Sequence, residues 1–177
     1  MLVIHPEDTS TRFLHALYGG MEGVDLHTGE ESRNRLSSLL YHLQPGEPVM
    51  LLGHGSPDGL FRKEGEEYQC YVGRSMRFLL RGHPLIGIWC HANLFAQRNS
   101  LHGLFSGMVV SEMDEARDYG IMTTEAELEA ENRRFAATLR GLLDANAPER
   151  LVPRLMKEKA GEGPAVRVFN YNSMYYL

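Results

Sequence analysis

Two reactive side chains in this chain each follow directly on a short apolar run. His54 comes after Val49–Leu52 and Gly53, and Cys90 comes after residues 85–89. Apolar runs of this length that are bounded by Gly or Pro predict buried parallel strands. In open α/β sheets, ligand sites lie just beyond the carboxyl ends of the strands. Neighbouring strands are about 4.8 Å apart, so we expect the imidazole and the thiol to lie within reach of each other.

A thiol beside an imidazole is the arrangement that enzymes use for acyl transfer with a cysteine nucleophile. His54 would remove the thiol proton of Cys90, or lower the thiol pKa as an imidazolium, near neutral pH. Gly55 has no Cβ, so a substrate carbonyl can approach its N–H, and the Gly55 and Cys90 amides would form an oxyanion hole. We therefore expect a thioester intermediate that is hydrolysed by water.

Asp58 lies in a Pro-Asp-Gly segment shortly after His54, and two interpretations of it stay open. Its carboxylate would orient His54 as a third catalytic residue, or it would simply form a turn, which this tripeptide favours. No cofactor is expected, because the sequence has neither a dinucleotide-binding glycine motif nor a phosphate-binding loop.

Composition narrows the class of protein. The 177 residues are 43% hydrophobic, which predicts a single domain over residues 1–177. With 18 basic against 23 acidic residues, the net charge of −5 argues against a nucleic-acid partner. No segment has the length of a membrane span, and the first apolar stretch is too short for a secretion signal. Two cysteines make no disulfide scaffold, so a cytoplasmic protein is expected.

The elements that must position the two reactive residues alternate along the chain. Strands are predicted at residues 2–4, 49–52, 85–89, 108–111 and 166–169, with an outlying strand at 68–72 in a polar, Gly-rich stretch over 56–73. Helices are predicted from 8 or 9 to 17, after a capping box at 28–31, at 75–80, at 92–100, after a second capping box at 124–127, and at 151–158. This alternation favours an α/β fold with a mostly parallel sheet covered by helices on both faces.

An apolar strand that ends in His54-Gly55, followed by one that ends in Cys90, resembles the caspase-like cysteine peptidases. That group includes caspases, legumains, gingipains, clostripain and separase. The stretch over residues 107–120, with Gly-Met-Val-Val-Ser followed by Asp-Glu-Ala and Tyr-Gly, is similar to the strand and loop after the nucleophile in that group. The resemblance covers roughly residues 2–143.

The resemblance implies a three-layer α/β/α sandwich and a peptide or protein substrate. His54 would be the base, Cys90 the nucleophile and Gly55 an oxyanion donor. Asp114 is a candidate for the pocket that binds the substrate side chain, by its rough position alone.

Two rival functions stay open. A catalytically inactive caspase-like protein would act as a binding or scaffold module. The bulky residues Trp89 and His91 on either side of Cys90 and the single sizeable loop over residues 56–73 support that alternative. A metal-dependent hydrolase would use His54, Cys90 and His91 as ligands. Adjacent residues on a strand point to opposite faces, however, which makes joint ligation by Cys90 and His91 awkward.

Overall fold

The structure is a computed structural model and describes residues 1–6 and 8–177. The strands are β1 (Leu2–Ile4), β2 (Asp25–His27), β3 (Val49–Leu52), β4 (Gly55–Ser56), β5 (Gly59–Glu64), β6 (Glu67–Gly73), β7 (Leu85–Ile88), β8 (Gly103–Ser106) and β9 (Met174–Tyr176). The α-helices are α1 (Arg33–Tyr41), α2 (Arg77–Leu80), α3 (Ala92–Asn99), α4 (Met113–Asp118), α5 (Glu125–Asp144), α6 (Val152–Ala160) and α7 (Ala165–Asn172). Short 3-10 helices lie at Arg12–Leu17, Arg74–Met76 and Glu149–Leu151.

A six-stranded sheet with the order β2-β1-β3-β7-β8-β9 forms the centre of the molecule. The first five strands in this order pair in parallel, and β9 pairs antiparallel with β8. Parallel neighbours need crossover connections, which the helices supply. The protein therefore has an α/β fold with a mixed, mostly parallel sheet.

Side chains of the central strands alternate between two apolar clusters. In β1, Leu2 and Ile4 pack with residues of α1, α2 and α3, whereas Val3 packs with residues of α5, α6, α7 and the first 3-10 helix. All four residues of β3 are buried. Burial on both faces explains why these strands are continuous apolar runs and do not alternate with polar residues.

A second sheet, with the order β4-β5-β6, forms in the segment that the sequence predicted to be mainly loop. It is antiparallel, and Leu60 and Val72 are buried in the α1–α3 cluster. In β4, Gly55 lies against the buried indole of Trp89, where a Cβ atom would come within 2.2 Å of Trp89 Cδ1. The Trp89 Nε1–H donates to the Ser56 carbonyl over 3.1 Å. This indole joins the two sheets.

Several sequence-based predictions of elements are confirmed, namely β1, β3, β7, α3, α6 and the cap of α5 by Thr124, whose side chain accepts from the Glu127 amide. The capping box at 28–31 is wrong as the start of α1. That helix begins after Ser32, whose hydroxyl accepts from the Arg35 amide.

Two predicted strands are also wrong. The strand expected at 108–111 lies earlier, at β8, and residues 166–169 belong to α7. In α7, Val166, Asn170 and Tyr171 are buried, a helical spacing that the short apolar run over 166–169 hides. The first 3-10 helix replaces the α-helix expected before residue 17.

Asn170 fixes the segment that follows β8. Its Oδ1 accepts from the Val110 amide over 2.8 Å, and its Nδ2 donates to the Val110 carbonyl over 2.9 Å. On α5, Asn132 donates to the Ser111 carbonyl over 3.2 Å. Because Asn170 is 2% exposed, water cannot replace these bonds without a rearrangement of the fold.

We therefore expect Asn170→Ala to destabilise the protein. Each buried backbone group left without a partner costs about 1–3 kcal/mol, and urea unfolding would measure the loss in the free energy of unfolding. Asn172→Ala is the matched control, because Asn172 is exposed and bonds only within its own helix. Its effect should stay within about 0.5 kcal/mol. Equal losses in the two variants would contradict this role of Asn170.

Candidate active site

Three adjacent parallel strands, β1, β3 and β7, end at the same edge of the central sheet. The chain moves from β1 outward to β2 and then back to β3, so β1 and β3 flank the point where the strand order reverses. Ligand sites of open α/β sheets lie at this switch point. The segments that leave the three strands carry Asp8, His54 and Cys90.

His54 and Cys90 line one pocket at this edge. Its other lining residues are Thr11, Phe13, Leu14, Gly53, Ile88, Trp89, Val109 and Ser111. The cavity volume is about 20 Å³, enough for about one water molecule. A substrate would therefore lie across the mouth of this pocket, with only its reacting group near the two side chains.

His54 is held by a carboxylate that the sequence did not point to. Its Nε2 lies 3.0 Å from Asp8 Oδ2 and 2.7 Å from Ser10 Oγ. Because a carboxylate only accepts hydrogen bonds, the proton resides on Nε2. Within residues 1–6 and 8–177, Nδ1 of His54 makes no hydrogen bond, so this nitrogen remains for proton transfer.

Asp8 is itself fully bonded. Its Oδ1 accepts from the backbone amides of Ser10 and Thr11, both over 3.1 Å, which fixes the turn before the first 3-10 helix. Its Oδ2 accepts from the Tyr68 hydroxyl over 2.8 Å. The Tyr68 ring also lies 5.1 Å from the imidazole of His54, measured between centroids. The β5–β6 hairpin thereby contributes to the orientation of His54.

The two partners shift each other's protonation in opposite senses. Burial alone would lower the pKa of His54, but the hydrogen bond and charge of Asp8 outweigh it, and the pKa is raised above its usual value. Burial alone would raise the pKa of Asp8, but its bonds to His54 and Tyr68 hold that pKa well below the usual range. Imidazolium and carboxylate therefore form an ion pair that persists toward neutral pH.

Cys90 lies in the sharp turn between β7 and α3. The next residue, His91, has a left-handed backbone with φ 68°, and α3 begins directly after it. Cys90 Sγ lies 3.5 Å from the Val109 carbonyl oxygen and 3.8 Å from Glu115 Oε1. Burial, followed by the charge of Glu115, raises the pKa of the Cys90 thiol to about 12. No hydrogen bond joins Cys90 to His54, and the raised pKa favours the neutral thiol in the resting protein.

The other residues singled out in the sequence lie away from this contact. Asp58 is exposed at the turn between β4 and β5 and pairs with Arg98 over 3.5 Å, so Asp8 and not Asp58 orients His54. Asp114 is exposed on α4, where it pairs with Arg117. Gly55 lies beside the pocket residue Trp89 in β4.

The residues that contact His54, Asp8 or Cys90 and were missed in the sequence include Asp8, Ser10, Tyr68 and Glu115. In the sequence, Asp8 was considered only as the possible start of the helix predicted up to residue 17. Its position just beyond a strand at the carboxyl edge was the signal that could have identified it. Tyr68 and Glu115 gave no such signal, because their roles depend on how the hairpin and α4 pack.

The described part of the chain offers no alternative metal centre. Among residues 1–6 and 8–177, no group of three or more His, Cys, Asp or Glu side chains is placed to hold a metal ion. The set of His54, Cys90 and His91 considered for a metal-dependent hydrolase is therefore not assembled there. Within the same residues, none of the helices is long and apolar enough to cross a membrane.

Comparison with known proteins found no match, neither to a protein-family model nor to a curated protein. The geometry of the pocket is therefore the basis on which a function can be assigned.

We expect Asp8→Asn to lower the pKa of His54, because it removes the charge that favours the imidazolium. Proton NMR of the His54 ring across a pH titration would measure this shift directly. Asp58→Asn is the control. It removes the same charge from the β4–β5 turn, where the carboxylate pairs with Arg98 and does not contact His54. A His54 titration that moves equally in both variants would contradict the specific pairing with Asp8.

The same ion pair predicts a pH window of stability. His54 has a folded-state pKa raised above about 6.5, so its contribution is full below that value and is lost as the pH rises through the folded pKa. Asp8 has a folded-state pKa held below about 3.9, so its contribution is lost as the pH falls through that folded pKa. The difference in the free energy of unfolding between wild type and Asp8→Asn should be largest between about pH 4 and 6.5. Urea unfolding at a series of pH values tests this, and a difference that does not vary with pH would contradict it.

Proposed function

We propose that this protein is a cysteine-dependent hydrolase with a caspase-like fold, acting as a peptidase, in which Cys90 is the nucleophile and His54 the general base. One observation carries the proposal. The segments after β1, β3 and β7 place Asp8, His54 and Cys90 at one sheet edge, and His54 and Cys90 line the same pocket. Helices against both faces of the sheet support the three-layer α/β/α sandwich that the resemblance implies.

The proposed mechanism follows from which nitrogen of His54 is already hydrogen-bonded. Asp8 holds Nε2 of His54 and leaves Nδ1 to take the thiol proton of Cys90. The Cys90 sulfur then attacks a substrate carbonyl, and His54 returns the proton to the leaving amine. A water molecule, activated by the same imidazole, hydrolyses the resulting thioester and regenerates the thiol. Asp8 is a positioning residue, because it acts through His54.

Stabilisation of the tetrahedral intermediate needs donors that are free. Within the described residues, the Cys90 amide N–H donates no hydrogen bond, and it belongs to the same turn as the Cys90 sulfur. It is the first oxyanion donor of the proposal, and the Gly55 amide is the second. Gly55 cannot gain a side chain, since a Cβ atom would collide with Trp89.

The resting state favours a second candidate, an inactive member of the fold that binds a partner. The imidazole is held by Asp8, the thiol has a raised pKa, and no hydrogen bond joins them. In a hydrolase, the protonation of His54 and Cys90 must change when substrate binds. In a binding module, both residues would stay protonated.

Covalent capture separates the two candidates. We would treat the protein with a mixture of peptidyl acyloxymethyl ketones that vary in the residue next to the ketone. The thiolate displaces the carboxylate leaving group of such a reagent and forms a thioether that peptide mass spectrometry locates. We expect selective labelling of Cys90 over Cys70, and a loss of at least about 100-fold in the labelling rate in His54→Ala.

Three controls accompany this measurement. Cys70→Ala should label as wild type does, and Cys90→Ala should not label. His54→Gln repeats the test with a polar side chain that can still bond to Asp8, and circular dichroism checks that each variant is folded. Slow labelling of both cysteines, unaffected by the His54 substitutions, would contradict the hydrolase and support the binding module.

A further inference from the structure

Glu115 presents a carboxylate directly to the candidate nucleophile. It is the third residue of α4, and its Oε2 accepts from the Ser111 amide over 2.7 Å and from the Glu112 amide over 3.2 Å. The bond from the Glu112 amide belongs to a capping box at the start of the helix, and the two bonds together fix the direction of the Glu115 side chain. The second oxygen, Oε1, is left 3.8 Å from Cys90 Sγ.

Glu115 forms no ion pair within residues 1–6 and 8–177, although its charge also acts on His54. Its partners are the Ser111 amide and hydroxyl, the Glu112 amide and the Cys90 thiol, all of them neutral. On the same helix, Arg117 pairs with Asp114 instead. The side chain is half-buried, so water compensates its charge only in part.

The other charged groups around the pocket do not neutralise the negative charge of Glu115. His54 is the cation that faces the site, and Asp8 neutralises it at 3.0 Å. Glu112 adds a further negative charge, and Glu112 and Glu115 both act on His54 and on Cys90. Together with burial, Glu115 keeps Cys90 in its thiol form.

Capping alone does not require a charged side chain here. Glutamine at this third position completes a capping box as well, and it would not oppose a thiolate. A carboxylate oxygen beside the nucleophile is instead suited to pair with a cation that arrives with the substrate. Such pairing would neutralise the charge of Glu115 at the sulfur and remove one of the two acceptors near the S–H group, the other being the Val109 carbonyl.

We propose that Glu115 is the specificity-determining residue of this site: its Oε1 binds a positively charged group next to the carbonyl that Cys90 attacks, and this pairing frees the thiol proton for His54. The inference rests on the proposed function for its catalytic consequence. The ligand chemistry is an ammonium or guanidinium group, carried either by a Lys or Arg side chain or by a free α-amino group.

Charged thiol reagents test the site without any need for turnover. Alkyl methanethiosulfonates react when a thiolate sulfur attacks the alkylthio sulfur, which forms a disulfide and releases methanesulfinate, while the thiol proton passes to His54 or to water. We would compare the cationic trimethylammonium-ethyl reagent with the anionic sulfonatoethyl reagent and the neutral methyl reagent. Peptide mass spectrometry gives the rate at Cys90 separately from that at Cys70.

We expect the ratio of cationic to anionic rates at Cys90 to fall at least about tenfold in Glu115→Gln. The neutral reagent should react faster in this variant than in wild type, because the thiolate becomes easier to form. Asp114→Asn is the matched control, since it removes the same charge from the same helix, where Asp114 pairs with Arg117. It should keep the wild-type ratio, and the rate at Cys70 should stay constant in all variants.

A wild-type ratio near one, or a ratio that Glu115→Gln and Asp114→Asn change equally, would overturn the proposal. Neither result depends on peptidase activity. If the protein shows the cation preference but is not labelled by the acyloxymethyl ketones, the proposal of a cation site stands and the proposal of a hydrolase fails. The failure of one proposal is thus distinct from the failure of the other.

Fluorogenic amides then identify the source of the charge. The first pair has arginine or its neutral isostere citrulline before the scissile bond, both with a blocked amino group. The second pair has norleucine with a free or an acetylated α-amino group. A preference of at least about tenfold for the charged member of one pair, lost in Glu115→Gln, assigns that source. Hydrolysis with no preference in either pair would overturn the proposal.

Discussion

The parallel alignment of β1, β3 and β7 determines where the reactive groups of this protein lie. Ile4 is level with Leu51, and Leu51 is level with Gly87, so the three strands end within a residue or two of one another. Both faces of β3 are buried, and a slip of one residue would move each of its side chains to the other apolar cluster. The register is therefore strongly specified by packing, and the segments that follow the strands are brought together as a consequence.

Asp8 links this backbone arrangement to the chemistry. One of its oxygens fixes the turn that leaves β1, and the other binds His54 and Tyr68. The imidazole is thus oriented from the main sheet and from the β5–β6 hairpin at once. Trp89 makes a second connection between the two sheets, because its indole packs on Gly55 and donates to Ser56. The small sheet is for this reason a structural part of the site.

The predictions from sequence succeeded where the signal is local. Apolar runs identified β3 and β7, and the residues at their ends identified His54 and Cys90 as neighbours of one pocket. They failed where tertiary context decides. The strand β2 lies at the edge of the sheet and has no apolar run. Over residues 104–110, the apolar residues before and after Gly107 fit a strand equally well.

The partner of His54 was also missed because tertiary structure decides it: His54 pairs with Asp8 and not with Asp58. Asp58 is near in sequence, but the β4–β5 turn carries it away to Arg98. Asp8 is distant in sequence, and only the parallel pairing of β1 with β3 brings it to the imidazole. The pairing of Asp8 with His54 depends on the topology of the sheet, so it cannot be predicted from a single sequence before the fold is known.

Two carboxylates each help to keep a proton on a reactive group of the pocket. Asp8 favours the proton on His54, and burial together with Glu115 keeps the proton on Cys90. A nucleophilic cysteine needs the reverse on at least one of these residues, because a protonated imidazole cannot accept a proton and a thiol attacks poorly. The free protein therefore holds its cysteine in the unreactive form. Of the two carboxylates, Asp8 already has a cationic partner, so the arrival of a positive charge would act first on Glu115. The control of Cys90 by charge thus follows from the same geometry that brings Cys90 and His54 to one edge of the sheet.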